Sequence, residues 1–438
     1  MHHSCRGAHM FTMLLPVLLL LLSSTQATHF FGTVMTYYPK QTNVDGSMQV
    51  FLRYKLSFRR CTDADTWTCS GSCGILAPTL EKVDEESGGE WCQREGILTP
   101  VISPRSSTEF VLAGGNWISS IKNGIVSWRA LTGVELRNRS DTGKANISPQ
   151  STILPSVRVP SNCQRDFNLL AFDPDGDIIK CRYGSDSLSE CNPCTPPSVL
   201  SLSPSCTLTF NRTSNINQGP YAVQMVMEDF PLQNITLTNV DGVQENKTPS
   251  QAISKIPFQF VLHVDPVVPT CTEGLFLPKF LPPTPANKAK LFAGVNQVLE
   301  INIIAEAKNT TISELLFSGP SSVVKSSSGS GNFKLRWTPS PNEEGEHHPI
   351  CFVVQSTLNS FKYHSELRCV IVHVVTSVVA RVNMKVFSSL PSFGGTVNGA
   401  LLLQIKEELT RMGLPQDTIL HVLKENSMIV NATATPVT

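Results

Sequence analysis

Charge is scarce in this sequence, and it is balanced. Asp, Glu, Lys and Arg make up 16% of 438 residues, with 35 basic against 35 acidic, where soluble proteins usually carry about 25%. Without net charge there is no basic field to gather phosphates, so no nucleic-acid partner is expected. Aromatic residues are also few, at 7%. Past the first 27 residues nothing stays apolar for the roughly 20 residues a bilayer span needs. The longest candidate, Cys369 to Val382, is broken by His373 and Arg381, so no transmembrane segment is expected in the mature chain. The short signatures of common enzymes are missing as well. There is no G-x-S-x-G elbow, no H-E-x-x-H, no P-loop and no G-x-G-x-x-G. A site assembled from distant residues, as in a secreted enzyme or inhibitor, is the alternative these absences leave open.

Proline (30), glycine (27) and a hydrophobic share of 41% are what the chain has in plenty. That mixture builds a real core cut by many turns. The expected fold is mainly β: tandem antiparallel β-sandwich domains with a short C-terminal β-α-β unit.

The first 27 residues read as a secretory signal peptide. Arg6 precedes the apolar run Leu14 to Leu22, and small residues end at a cleavage site after Ala27. The cysteines agree with a secreted, extracellular chain. Of 13, Cys5 leaves with the signal, and an even set of twelve remains for disulfides. Seven N-glycosylation sequons follow, at Asn138, Asn146, Asn211, Asn234, Asn246, Asn309 and Asn431. The closing Asn431-Ala-Thr-Ala-Thr-Pro-Val-Thr is expected to begin a Thr-rich stalk.

Residues 28–155 are expected to form an N-terminal all-β disulfide domain. Val50, Leu52, Tyr54, Leu56 and Phe58 alternate with polar neighbours, and Asp45-Gly46 should turn this strand back onto Phe30–Tyr38. Asn123-Gly124 should do the same between Trp117–Lys122 and Ile125–Leu131. Cys61, Cys69, Cys73 and Cys92 belong here, in any of three connectivities. Residues 156–268 form a second unit, with strands at Phe167–Ala171, Ile179–Tyr183, Tyr221–Met227 and Phe258–Val264. Residues 269–378 form a third, with strands at Val298–Ala305, Phe333–Trp337, Ile350–Gln355 and Leu367–Val375. Cys163, Cys181, Cys191, Cys194, Cys206 and Cys271 should be tied together in the second unit and its exit, by unassigned pairings. Cys191-Asn-Pro-Cys194 is expected to be structural, not redox-active.

The Cys351 and Cys369 pair is the sharpest expectation. Folded about residue 360, the two positions fall opposite each other on neighbouring strands, where Cβ atoms stand close enough for a disulfide. His347-His348 should lie in a solvated turn.

Units two and three look like one repeat. Leu208-Thr-Phe210 leads to Gly219 and a long apolar strand, and Leu335-Arg-Trp337 leads to Gly345 and another. Phe172-Asp-Pro-Asp-Gly-Asp177 and Leu335-Arg-Trp-Thr-Pro339 with its acidic-glycine turn resemble extracellular cadherin-like and immunoglobulin-like repeats. Thr28-His-Phe-Phe-Gly32 with Asp45-Gly46-Ser47 resembles the first domain of large secreted animal proteins. The resemblance implies a non-enzymatic adhesion, matrix or recognition glycoprotein whose partner is an extracellular protein or glycan.

Asp173, Asp175 and Asp177 have two readings. Alternate aspartates around a glycine can supply several calcium oxygens, with Glu228 and Asp229 completing the shell. Pro-Asp-Gly is equally a tight turn that needs no ion. No other cofactor is expected. At the C-terminal end, residues 379–438, Val397, Leu401, Ile405, Leu409 and Met412 recur at helical spacing between two alternating stretches.

Overall fold

The computed structural model describes residues 29–70, 73 and 79–376, with four short pieces at 379–382, 406–407, 419–423 and 429–433. The expected signal segment, residues 1–27, lies outside them. So do most of the residues expected to form a C-terminal helix; of these, Lys406 and Glu407 are described and are helical. The strands Val379–Val382, Ile429–Thr433 and Ile419–Leu423 pair antiparallel in that order. Among the described residues no helix is long and apolar enough to cross a membrane.

Period-2 patterning gives the first hairpin. Phe30–Thr42 pairs antiparallel with Met48–Phe58, with Met35 opposite Tyr54. The turn between them holds Gly46 at φ 78°, where glycine has no steric penalty. The side chains of Val50, Leu52, Tyr54, Leu56 and Phe58 are all buried. The Asn123-Gly124 turn also forms, but it makes no hairpin. Trp128–Val134 pairs instead with Thr108–Gly114. Asn123 is drawn off to the second unit, where its side chain donates to Thr195 O (2.7 Å) and Ala222 O (2.9 Å).

Units two and three share one strand order. In each, a short strand runs parallel to the last one: Ser156–Pro160 beside Lys255–Asp265, and Ala289–Gly294 beside Arg368–Val375. The last strand pairs antiparallel with the long strand that follows the glycine, Gly219–Phe230 or His347–Leu358. That strand pairs with Ile178–Tyr183 or Thr311–Ser318. A second sheet faces it, of Arg165–Asn168, Thr207–Phe210 and Leu200–Leu202 in unit two. In unit three it contains Lys279–Leu281, Leu299–Glu306, Asn332–Trp337 and Val324–Gly329. Phe210 and Trp337 are both buried at the matching point.

Hydrogen bonding does not stop at residue 155. Strands from residues 30–134 and from 156–265 join one 12-stranded sheet, and one core cluster runs from Phe30 to Ile371. The joint is Lys255–Asp265, which meets Gly133 at Lys255 and Val34 at Phe258. The backbones touch at Gly32, which sits at φ 122°, where a Cβ would stand 2.0 Å from the Gln259 carbonyl oxygen. Unit three docks on this body through charge. Lys325 Nζ is 2.7 Å from Asp84 Oδ1, and Arg53 Nη2 is 3.4 Å from Glu346 Oε2, while the Lys55–Glu95 pair of the N-terminal unit receives the Ser321 N–H on Glu95 Oε2 at 2.9 Å. Lys362 Nζ lies 2.6 Å from Glu86 and 2.7 Å from Glu90. Burial would raise the Glu95 carboxyl, but Lys55 and Arg53 overcome it and hold the group down to about 2.

His347 and His348 do not form a solvated turn. They open the His347–Leu358 strand, where His347 faces and stacks on His373 at 4.2 Å and His348 is buried. The Tyr38 hydroxyl accepts the His347 N–H at 2.9 Å, which fixes the strand end against the first unit.

Gly32→Ala is expected to cost more than about 3 kcal/mol, because left-handed strain and a backbone clash coincide. Equilibrium denaturation of the purified chain reads this out. A pH effect follows from His347, whose ring burial, aided by His373, pushes down to about 4 from an ordinary 6.5. The folded chain refuses a proton that the unfolded chain accepts. Stability present above pH 6.5 is therefore lost as pH falls towards 4. His347→Asn should flatten the dependence of denaturation midpoint on pH across that window, and an unchanged slope contradicts the assignment.

Candidate acidic centre and the covalent frame

The Asp-Pro-Asp-Gly-Asp turn is built by its own first residue. Asp173 Oδ1 accepts the N–H groups of Asp175 (2.9 Å) and Asp177 (3.1 Å), and Gly176 takes φ 86°. The turn delivers the chain into Ile178–Tyr183, where Ile179 lies opposite Asp229 of the long strand. Asp229 thereby comes beside the turn. Its neighbour Glu228 does not, because successive side chains point to opposite faces. Glu228 binds Arg182 at 2.6 Å instead.

Carboxylate oxygens of Asp173, Asp177 and Asp229 lie within 4.8 Å of one another. Asp229 is fully buried. Its Oδ1 accepts Ser254 N–H (2.8 Å) and Ser254 Oγ–H (2.7 Å), and its Oδ2 accepts Asn146 Nδ2–H (2.6 Å). Asp175 Oδ2 accepts the Ile147 N–H at 2.7 Å. Asp173 is 8% exposed, and its Oδ2 has no hydrogen-bond partner.

Among the described residues one cation stands against these acids. Arg139 is buried and bridges to both oxygens of Asp177 and to Asp141 (2.8 Å), and its Nη1 donates to Asn146 Oδ1 at 2.6 Å. Burial alone would weaken the guanidinium's hold on its proton. The bonds to Asp177 and Asp141 win and raise its pKa. Burial, then the charge of Asp229, pushes the Asp173 carboxyl up to about 8. Asp229 is raised to about 6, again chiefly by burial, and Asp175 is raised for the same reason. The Tyr37 hydroxyl closes the floor, accepting Asn146 Nδ2–H at 3.2 Å.

Arg139, Asn146 and Tyr37 carry no sequence signal for this place, since they reach it from a distant strand and loop. Asn146 did carry a signal for something else. Its side chain is fully buried and its amide nitrogen is spent on Tyr37, Ile147 and Asp229, so the fold has no room for a glycan there. Asn138, Asn211, Asn234, Asn246 and Asn309 are exposed. The side chain of Asn431 lies outside the described residues.

The twelve cysteines form six disulfides. They join Cys61–Cys92, Cys69–Cys73, Cys163–Cys271, Cys181–Cys206, Cys191–Cys194 and Cys351–Cys369. Cys163–Cys271 ties the entrance of unit two to its exit. Cys351 and Cys369 are direct cross-strand partners with Cα atoms 4.0 Å apart. The hairpin turns on Asn359-Ser360, both at positive φ. Its register moves by one residue between the Gln355–His364 and Cys351–Cys369 pairs. Without that step Cys351 would face Arg368. A polar cleft of about 220 Å³ lies elsewhere, lined by Glu90, Arg158, Asp265 and Lys362. Its cations are already engaged, Arg158 by Asp265 (2.8 Å) and Glu90 (2.7 Å), and Lys362 by Glu86 and Glu90.

No protein-family model matches the chain. It is similar to Integrin beta-like protein C of Dictyostelium discoideum, 23% identical over 252 residues, covering 52% of this chain and 12% of that protein. The chain thus spans about an eighth of the length of that curated relative. Among solved structures it is similar to human protocadherin-24 EC1-2, at 12% identity and TM-score 0.16, covering 52% of this chain and 99% of that one. It is similar to Sidekick-1 immunoglobulin domains 1–4, at 12% identity and TM-score 0.17, covering 73% and 72%. An endo-fucoidan hydrolase of glycoside hydrolase family 107 stands at 14% identity and TM-score 0.18, covering 71% and 38%. Two facing sheets in each of units two and three make them sandwiches.

Arg139→Ala is expected to destabilise the chain by about 3–5 kcal/mol, since it strands buried carboxylates without a cation. Urea denaturation measures it. A loss below about 1 kcal/mol would mean that Arg139 does not hold the centre together.

Proposed function

We propose that this chain is a secreted or ectodomain glycoprotein that acts as a non-enzymatic adhesion, matrix or recognition module. One observation carries the reading: two sandwiches of the same strand order are fixed to a third β unit, one by a shared sheet and the other by ion pairs, and the whole is clamped by six disulfides. Such a frame holds loops and sheet faces in fixed positions for a partner. The oxidised cysteines and five exposed sequons support an extracellular setting. The internal pairing of the charged clefts supports a structural role for those charges.

Two measurements test it. Glycan mapping of the secreted chain should find sugars on exposed asparagines among Asn138, Asn211, Asn234, Asn246 and Asn309, and none on Asn146. A folded chain glycosylated at Asn146 contradicts the burial. The immobilised full chain, presented to panels of extracellular ectodomains and glycans, should show saturable binding at micromolar concentrations. A chain that stays unglycosylated inside the cell, or that binds none of them, overturns the reading.

A further inference from the structure

We propose that Asp173, Asp177 and Asp229 form a calcium site that pins the second unit to the N-terminal unit. Asp173 and Asp177 belong to the turn before Ile178–Tyr183, and Asp229 to the long strand of the same sheet. Their ligand atoms lie within 4.8 Å of one another, the span of two oxygens on opposite sides of one ion at about 2.4 Å, which is the calcium distance. The ligand atoms on offer are carboxylate oxygens, with the Tyr37 hydroxyl behind the Asn146 amide. That set suits a hard cation and offers zinc or copper no soft ligand.

Two further facts point to a ligand. Asp173 Oδ2 is buried and makes no hydrogen bond, although every other carboxylate oxygen named in this cluster has a donor. An unpartnered buried acceptor is costly, and a cation is the partner that its neighbours allow. The charge count agrees. Among the described residues the five acids Asp141, Asp173, Asp175, Asp177 and Asp229 have one paired cation, Arg139, which reaches Asp141, Asp175 and Asp177. A divalent ion on the inner three would halve the excess and leave Arg139 on the outer side of Asp177. Asn146 joins the two regions, since it donates to Asp229 and accepts from Arg139. The inference concerns ion binding alone and does not depend on the function proposed above.

Asp173→Asn is the informative variant. The side chain's turn-forming oxygen is retained and the oxygen it changes makes no hydrogen bond, so the fold should survive. The secreted full chain, stripped with chelator and titrated with calcium alone by calorimetry, should bind one ion with Kd between about 10⁻⁵ and 10⁻³ M. Asp173→Asn should weaken this by about tenfold or more, while Asp241→Asn on an exposed loop should leave it unchanged. Calcium should raise the melting temperature of the wild type and not that of Asp173→Asn. Should the variant fail to fold, hydrogen exchange of the wild type decides: calcium should slow the amides of Asp175, Asp177 and Ile147. Absence of saturable binding up to about 10 mM, wild-type affinity in Asp173→Asn, or slowing confined to other regions overturns the site.

Discussion

The edge of a single strand organises the molecule. Lys255–Asp265 gives one edge wholly to Gly219–Phe230. Its other edge is divided, going first to Gly133, then to Val34, and then to Ser156–Pro160. A strand has only two edges for hydrogen bonding. Sharing the second among three partners makes the N-terminal unit part of the same sheet as unit two. The glycine at position 32 follows from that sharing, because the backbones approach too closely for any side chain. So does the continuous core from Phe30 to Ile371.

A joint of this kind buries polar groups from both sides, and each must find a partner. Towards unit three each acid finds a cation, as in Asp84 with Lys325, and Glu86 and Glu90 with Lys362. Towards the acidic turn they are not. Tyr37 arrives from the first strand, Arg139 and Asn146 from the segment that follows Trp128–Val134, and Asp229 from the long strand of unit two. The result is a polar floor beneath a surplus of carboxylates. A buried mismatch of charge raises carboxyl pKa values or recruits a counter-ion, and this is where the fold concentrates it.

Local pattern made much of this legible. Alternation located the Phe30–Thr42 and Met48–Phe58 hairpin and the long strands of units two and three. The recurrence of aromatic, glycine and apolar strand located two units of equal strand order. Asp173, Asp175 and Asp177 announced themselves by spacing. Information that depends on other parts of the chain was not legible. The 155 boundary looked like a domain limit because periodicity does not record which strand edge is shared. Asn123-Gly124 has the composition of a hairpin turn, but Asn123 is bonded to the second unit. His347 and His348 follow an acidic-glycine turn and look solvated, yet Tyr38, some 309 positions away, fixes the backbone there. Arg139 and Asn146 are silent for the same reason, and a buried sequon looks like an exposed one.

The two sandwiches also show what the acidic centre adds to a shared framework. Counted from Gly219 and Gly345, Asp229 corresponds to Gln355. Gln355 is also buried on the long strand, and it lies opposite Glu314 of the preceding strand. Its partners are neutral or matched: Gln355 Oε1 meets the His364 ring at 3.0 Å, and its amide donates to Glu314 at 3.1 Å. The loop before Thr311–Ser318 reads Lys308-Asn309-Thr310, with no acidic turn. Backbone topology therefore does not require the carboxylates, since unit three builds the same corner with a glutamine. Two of the three acids were separable from the fold and are nevertheless gathered where unit two meets the N-terminal unit. The surplus charge is thus a property of that joint and not of the sandwich.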